Sequence, residues 1–183
     1  MSKPRIIGGS AKGQSLETPR SGTRPTPSRV REALFDILAF YPRGSFLDLF
    51  SGSGAVGLEA ASRGWRSTLV EIDRAAAQVL RRNALRLKLA AEVVQGDALK
   101  FILNHPGGFE IVFAAPPYPL DLQPLFQKIA GSGVAKAGGL YIFQHPSQLE
   151  LEIKLMGKAL EPDRRAYGSN VLSLYHLEER PVS

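Results

Sequence analysis

The sequence of 183 residues contains no cysteine. This absence excludes disulfides, zinc–thiolate sites and thiol catalysis, and it suits a reducing compartment. The three histidines, His105, His145 and His176, lack the spacing of metal ligands, so we expect no metal site. No apolar run reaches the roughly 18 residues that span a bilayer, and the first residues lack the apolar core of a signal peptide. We therefore expect a cytoplasmic protein without a membrane partner.

Excess positive charge is concentrated at the front of the chain. Lys and Arg number 23 against 17 Asp and Glu, which gives a formal net charge of +6. Residues 1–44 hold eight basic and three acidic residues, so this segment carries +5 of that charge. A basic segment on a nearly neutral body favours nucleic acid as the partner, although a solvated arm that aids solubility explains the same charge.

The pattern of apolar residues predicts an α/β domain behind this basic segment. Residues 1–27 are expected to form an irregular arm with a short strand or hairpin near residues 5–16, and residues 28–40 to form a helix. From residue 45, short apolar strands alternate with helices, which predicts a parallel sheet with helices on both faces. Ligands of such sheets bind at the carboxyl ends of the strands, near the switch in strand order.

A glycine-rich turn follows the first strand of this domain. Gly52, Gly54 and Gly57 form the pattern G-x-G-x-x-G, which permits a tight turn and a close approach by a ligand. The pattern alone also fits a helix start without any ligand. Glu71 ends the next strand, 19 residues beyond Gly52, and this is the spacing of a carboxylate that accepts hydrogen bonds from ribose hydroxyls. Together these residues predict a nucleotide-type cofactor.

Acidic residues at three successive strand ends bear on which cofactor this is. Asp48 precedes the turn, Glu71 ends the second strand, and Asp97 follows the third. S-adenosylmethionine (SAM) carries a cationic ammonium and sulfonium and no phosphate, so it suits carboxylates beside the turn. A dinucleotide instead places a pyrophosphate on the helix N-terminus. We expect SAM, with Asp48 near its cationic part and Asp97 near its adenine amine, and a dinucleotide is the alternative.

The fourth strand leads into a loop with two consecutive prolines. Pro116 and Pro117 fix the backbone and remove two N–H groups, which leaves local carbonyls available as acceptors. Tyr118 follows and offers an aromatic face on which a base can stack. A rigid loop with a core tyrosine explains the same residues without any ligand.

Several sequence blocks occur together between Arg5 and about Tyr175. They are Arg5-Ile-Ile-Gly-Gly, Arg24-Pro-Thr, the segment 29–38, the turn after Asp48, Gly96-Asp-Ala, and Tyr167-Gly. In this combination they resemble the RsmD-type 16S rRNA guanine-N2 methyltransferase family. The resemblance implies a class I methyltransferase (Rossmann-like) fold, with a mostly parallel sheet of about seven strands and a basic N-terminal extension. It implies methyl transfer from SAM to the N2 amine of a guanine in 16S rRNA of the small ribosomal subunit or an assembly intermediate. A monomer is expected.

The resemblance also implies roles for individual residues. Residues 1–44 would dock RNA and help to close the cofactor pocket, and residues 45–183 would form the methyltransferase domain. Expected cofactor contacts are Asp48, Phe50, Ser51, Gly52, Gly54, Glu71, Ile72, Asp97 and Ala98. Expected RNA contacts are Arg5, Lys12, Arg24, Thr26, Arg29 and Arg31. The expected catalytic loop is Ala115, Pro116, Pro117 and Tyr118.

Ala115 departs from the family, which has Asp or Asn at this position as the acceptor for the target amine. One missing hydrogen bond is worth about 1–3 kcal/mol, or roughly 5- to 150-fold in rate. The backbone carbonyls of Ala115 or Pro116, or the carboxylate of Asp121, are candidate replacements. Open alternatives are a weakened enzyme, a silent RNA-binding or ribosome-assembly factor, a methyltransferase acting on another nucleic-acid amine, and a dinucleotide-dependent oxidoreductase. The last has no evident catalytic Tyr-x-x-x-Lys pattern.

Overall fold

The computed structural model describes residues 3–20, 24–117 and 121–179. Its helices are α1 Ser28–Leu38, α2 Ala55–Ser62, α3 Arg74–Arg86, α4 Ala98–Leu103 and α5 Leu122–Gly131. Its strands are β1 Ser45–Asp48, β2 Arg66–Glu71, β3 Ala91–Gln95, β4 Phe109–Ala114, β5 Ala135–Pro146, β6 Lys154–Leu155, β7 Lys158–Ala159, β8 Asp163–Tyr167 and β9 Asn170–His176. None of the helices in the described segments is long and apolar enough to cross a bilayer.

Seven of these strands form one mixed sheet in the order β3-β2-β1-β4-β5-β9-β8, and β6 pairs with β7 separately. Strands β1 to β5 are mutually parallel, whereas β9 is antiparallel to both of its neighbours. The prediction of a mostly parallel sheet of about seven strands is confirmed. The chain runs outward from β1 to β3, then returns to place β4 on the other side of β1. This switch in strand order puts the ligand-binding edge at the carboxyl ends of β1 and β4.

The sheet is covered by helices on both faces, as expected from the alternation of strands and helices. Phe46 on β1 packs into the cluster that contains Leu34 of α1 and Val56 of α2. Its neighbour Leu47 faces the other side and joins the cluster that contains Phe126 of α5. Because successive strand residues point to opposite faces, the uninterrupted apolar strands of this sequence can fill both layers.

The N-terminal hairpin predicted near residues 5–16 is present. Arg5 pairs with Ser15 as an antiparallel bridge, and the Ile6 amide donates to the Gln14 carbonyl at 2.9 Å. Ile6 and Leu16 are buried and belong to the same cluster as Leu58 of α2 and Leu80 of α3. The front of the chain is therefore partly core.

A buried carboxylate fixes this hairpin to α2. Glu59 is completely buried and accepts hydrogen bonds from the amides of Ile7 at 2.7 Å and Gly8 at 2.9 Å. It also accepts one from Arg63 at 2.9 Å, and it faces the guanidinium of Arg31 at 3.9 Å. Such a carboxylate stabilises the fold because its charge is matched by several donors at once.

Two glycines of the hairpin make a matched test of its docking. Gly9 and Gly13 both have left-handed backbones, with φ of +80° and +83°. A Cβ on Gly9 would lie 1.9 Å from the Ser62 carbonyl oxygen, whereas a Cβ on Gly13 would meet nothing within 4 Å. We expect Gly13→Ala to lower the free energy of unfolding by about 1–2 kcal/mol. Gly9→Ala should lower the free energy of unfolding by about 1–3 kcal/mol more than Gly13→Ala does. Urea titrations of both variants measure this difference, and equal losses would contradict the docked position.

Candidate functional site

The turn between β1 and α2 is tight because two of its glycines are left-handed. Gly52 has φ of +53° and Gly54 has φ of +79°, and the Gly54 amide donates to the Ser51 carbonyl at 2.7 Å. A Cβ on Gly54 would lie 2.3 Å from a methyl carbon of Leu80 in the core. The Ser51 hydroxyl donates to the Asp48 carbonyl at 2.9 Å. The predicted glycine turn therefore packs its backbone closely against Leu80 of α3.

Asp48 is buried beneath this turn, and one of its two carboxylate oxygens accepts a hydrogen bond. Its side chain is 1% exposed, and its Oδ2 accepts from the Gly57 amide at 3.0 Å. Its Oδ1 has no hydrogen-bond partner among the described residues. Burial raises the pKa of Asp48 to about 7, although the bond from Gly57 opposes this rise. A buried acceptor without a donor is suited to a cationic ligand.

Gly57 explains how the carboxylate and α2 come so close together. A Cβ at this position would lie 2.5 Å from Cγ of Leu69 and 3.0 Å from Oδ2 of Asp48. The third glycine of the pattern thus permits the helix to pack directly on the sheet. Its amide then points at Asp48 and holds one oxygen of the carboxylate.

Glu71 joins the turn after β1 to the turn after β2. It is 9% exposed, and its two oxygens accept from the amides of Gly52 and Asp73, each at 2.8 Å. Each carboxylate oxygen has a second lone pair that remains available. The arrangement fits a residue that accepts hydrogen bonds from a pair of ribose hydroxyls while it holds the glycine turn in place.

The third strand end adds an acidic residue beside apolar surface. Asp97 is exposed and caps α4, accepting from the Lys100 amide at 3.0 Å. Ala98 is buried behind it, and the Ile72 side chain at the end of β2 is 65% exposed. Phe50, after β1, is half-buried against the α4–α5 layer. The fold brings the predicted cofactor residues of β1, β2 and β3 to one edge of the sheet, because the three strands are parallel neighbours.

The double-proline loop leaves β4 at the same edge. Ala115 is half-buried against the cluster that includes α1, Pro116 is buried, and Pro117 is exposed. Tyr118, expected to stack on a base, lies outside the described residues. Since β4 lies between β1 and β5, Ala115 sits between the strand end that carries Asp48 and the carboxyl end of β5.

The segment before α1 is connected to this edge by a short chain of hydrogen bonds. The Thr26 hydroxyl donates to Oε1 of Gln144 at 3.3 Å, and Nε2 of Gln144 donates to Oδ1 of Asn170 at 3.4 Å. Arg24 and Arg29 flank Thr26 and are exposed. Gln144 and Asn170 were not singled out from the sequence, where they are ordinary polar residues next to apolar strands.

The remaining basic residues expected to contact RNA lie elsewhere. Arg5 and Lys12 are exposed on the hairpin, which docks at Ser62. Ser62 ends a helix of eight residues, about 12 Å from its start beside the glycine turn. Arg31 is 2% exposed and faces Glu59, and burial lowers its pKa although Glu59 opposes this. The phosphate contact expected of Arg31 is therefore not available in this conformation.

No group of three or more metal-ligating side chains is found in the described ranges. The carboxylates of Asp48 and Glu71 are bonded to amides of the glycine turn and the start of α2, and Asp97 caps α4 at the end of the neighbouring strand. The double-proline loop follows β4 on the other side of β1. Such an edge can hold a cationic nucleoside next to a polar acceptor group.

Comparisons with known proteins identify one matching family and several similar proteins. The family model described as "Conserved hypothetical protein 95" matches residues 4–176. The chain is 47% identical over 118 residues to "Ribosomal RNA small subunit methyltransferase D" of Escherichia coli (strain K12), a match that covers 62% of this chain and 60% of that protein. It is 32% identical over 180 residues to "Putative rRNA methyltransferase YlbH" of Bacillus subtilis (strain 168), covering 93% and 97%.

A solved structure agrees in fold and length. The structure described as "Putative methyltransferase yhhF from Escherichia coli" superposes with a TM-score of 0.82 at 33% identity, and the match covers 98% of this chain and 100% of that one. The resemblance found in the sequence blocks is thereby confirmed at the level of the family.

Proposed function

The chain belongs to the family described as conserved hypothetical protein 95, and we propose that it transfers a methyl group from SAM to the N2 amine of a guanine in 16S rRNA. The observation that carries the proposal is the buried Asp48, one oxygen of which has no hydrogen-bond partner in the described part of the chain and lies under a glycine turn at the switch in strand order. A dinucleotide would instead bring a negative pyrophosphate to this turn, next to a buried carboxylate. The geometry thus favours a cationic cofactor.

The residues at the strand ends fit SAM in a definite order. Asp48 faces its cationic amino-acid part, Glu71 accepts from the ribose hydroxyls, and Asp97 accepts from the adenine amine. The exposed Ile72 side chain packs on the adenine ring, while Phe50, Ser51, Gly52, Gly54 and Ala98 shape the cleft. When bound, the cofactor supplies an electrophilic methyl group on sulfur, so the protein has to orient the acceptor amine and exclude water.

The proline loop is the natural place for the target base. Pro116 and Pro117 hold the carbonyls of the loop in fixed directions, and Ala115 lies between the Asp48 strand and β5. In this proposal the loop, with Tyr118, stacks the guanine and presents its amine to the methyl group. No strong base is required, because a neutral amine can lose its proton after transfer.

Arg24 and Arg29 are the proposed phosphate contacts closest to the reacting atoms, since Thr26 between them is bonded to β5. Arg5 and Lys12, on the docked hairpin, contact phosphates farther along the RNA. We propose that residues 1–44 in this way dock the RNA and, through Thr26 and α1, close the pocket, whereas residues 45–183 bind the cofactor. The proposed substrate is the small subunit or an assembly intermediate, bound by a monomer.

A second candidate is a factor that binds RNA and SAM without turnover, and Ala115 is the observation that favours it. We expect the chain to transfer label from methyl-tritiated SAM to small subunits that lack the modification. If acceptors other than the side chain at position 115 already orient the amine, Ala115→Asp should raise the rate at most about tenfold. SAM titration of both proteins is the control. If both bind SAM and only Ala115→Asp transfers label, the natural chain is silent and acts by binding.

A further inference from the structure

The register of the sheet places Gln144 next to Ala115. Ala114 on β4 pairs with Phe143 on β5, so the following residues of the two parallel strands, Ala115 and Gln144, lie side by side. Phe113 and Ile142, two residues earlier on each strand, belong to the same α1–α2 cluster. Because side chains alternate along a strand, Ala115 and Gln144 face that same side at the carboxyl edge.

The carboxamide of Gln144 is oriented by its neighbours without being buried. Thr26 donates to its oxygen at 3.3 Å, and its nitrogen donates to Asn170 at 3.4 Å. These distances are at the long end of hydrogen bonds, and Gln144 is half-buried. An amide oxygen carries two lone pairs, so this one can accept from a ligand while it keeps its bond from Thr26.

Other polar side chains near this edge are already engaged or face elsewhere. His145 is completely buried, with its ring nitrogens bonded to Ser173 at 2.8 Å and to the Pro146 carbonyl at 2.9 Å. Asp121 precedes α5, which covers the opposite face of the sheet. Asp48 lies under the glycine turn and is proposed to face the cofactor. Among the described residues, Gln144 is the side-chain acceptor that the register puts beside Ala115.

We propose that the Gln144 carboxamide oxygen accepts a hydrogen bond from the target amine, the part that Ala115 cannot play. This inference rests on the proposed methyl transfer. In the reaction the amine lone pair forms the new N–C bond while the C–S bond of the sulfonium breaks, with its electron pair remaining on sulfur. The amine then gives its extra proton to solvent water. Gln144 takes no proton and orients the nitrogen lone pair, with Thr26 and Asn170 fixing the amide.

The test is a double-mutant cycle on methyl transfer to small subunits. We expect Gln144→Ala to lower kcat about 10- to 100-fold, with KM for subunits and the Kd for SAM within about threefold of wild type. In an Ala115→Asn background, the same change should cost less than about threefold, because the introduced carboxamide supplies the acceptor. The two residues are neighbours, so their effects are expected to be non-additive.

Asp121→Asn is the control, since it removes the carboxylate that the sequence offers as an alternative acceptor without touching the Gln144 network, and it should leave kcat within about twofold. A kcat loss from Gln144→Ala that persists in the Ala115→Asn background would overturn the inference. A wild type that binds SAM and transfers no label would instead overturn the proposed methyl transfer, whereas label transfer unchanged by Gln144→Ala overturns only the role of Gln144.

Discussion

Asp48→Asn is expected to weaken SAM binding by at least about 100-fold while it stabilises the ligand-free protein at neutral pH. The buried carboxylate has an oxygen with no hydrogen-bond partner among the described residues, and we propose that it faces the cationic part of SAM. Removing one partner of a buried charge pair costs about 3–5 kcal/mol, which corresponds to more than about a hundredfold in Kd. Calorimetric titration with SAM measures this loss.

The stability effect follows from the pKa of the same group. Burial raises the pKa of Asp48 from 3.8 to about 7 in the folded state. Between these values the folded protein holds a proton that the unfolded chain releases, so wild-type stability falls as pH rises through this window. The carboxamide introduced by Asp48→Asn does not titrate. The free energy of unfolding of the variant, relative to that of wild type, should therefore increase by at least about 1 kcal/mol as the pH rises from about 4 to about 8.

The affinity effect has a control in Asp36, an exposed carboxylate on α1. Asp36→Asn should leave the SAM affinity unchanged. For wild type, SAM affinity should also weaken as pH falls below about 7, because protonated Asp48 no longer attracts a cation. Unchanged SAM binding in Asp48→Asn would remove Asp48 from the cofactor site, and a pH dependence of unfolding equal to that of wild type would contradict its raised pKa.

The second large effect concerns the buried ion pair of Glu59 and Arg31. Substitution of Glu59 should cost much more stability than substitution of Arg31. Glu59 matches Arg31 and Arg63 and also receives the amides of Ile7 and Gly8. Glu59→Gln removes the charge that compensates a buried guanidinium, and we expect it to lower the free energy of unfolding by about 3–5 kcal/mol. The hairpin should loosen as well, because Gln offers a single acceptor oxygen.

Arg31→Met should cost much less, within about 1 kcal/mol of wild type. Two of the Arg31 guanidinium nitrogens are buried and have no hydrogen-bond partner in the described part of the chain, whereas Glu59 would retain Arg63 and both amides. Met fills a similar volume without a charge. Urea unfolding of both variants measures the contrast, and hydrogen exchange at Ile7 and Gly8 reports on the hairpin. Equal losses would contradict this asymmetry.

Arg31→Met also tests the placement of the basic residues. Because Arg31 is buried, the variant should bind RNA with an unchanged salt dependence. Arg24→Ala, at an exposed position near Thr26, should lower the slope of log affinity against log salt by about one, which corresponds to the loss of one phosphate contact. A lowered slope in Arg31→Met would show that Arg31 reaches phosphate in the complex.

The sequence predicts the centre of the sheet well, since its strands are short apolar runs separated by glycine turns and helices. The first strand begins at Ser45 and the second ends at Glu71, as the pattern predicted. The short helix Ala98–Leu103 was not predicted, because six residues show too little of the helical period. The strand Asp163–Tyr167 was missed because it is an exposed, charged edge, and such an edge lacks apolar alternation.

The site was predictable where it depends on neighbours along the chain and less so where it depends on packing between distant segments. The glycine turn and Glu71 are related by a fixed spacing, so their contact at 2.8 Å follows from the strand order. Arg31 looks like a surface cation in sequence, and only the proximity of Glu59, on a different helix, explains its burial. Gln144 is likewise placed by Thr26, which lies 118 residues earlier.

The central claim is that this chain methylates the N2 amine of guanine in 16S rRNA with SAM. The most direct measurement is to incubate small subunits lacking the modification with the chain and methyl-tritiated SAM, digest the 16S rRNA to nucleosides, and identify the labelled one by chromatography and mass spectrometry. We predict label in N2-methylguanosine alone, and about 100-fold less of it when Asp48→Asn replaces the wild type at SAM concentrations below the wild-type Kd. Label in a different nucleoside would contradict the guanine N2 specificity, and absence of label from a SAM-bound chain would contradict the proposed enzyme.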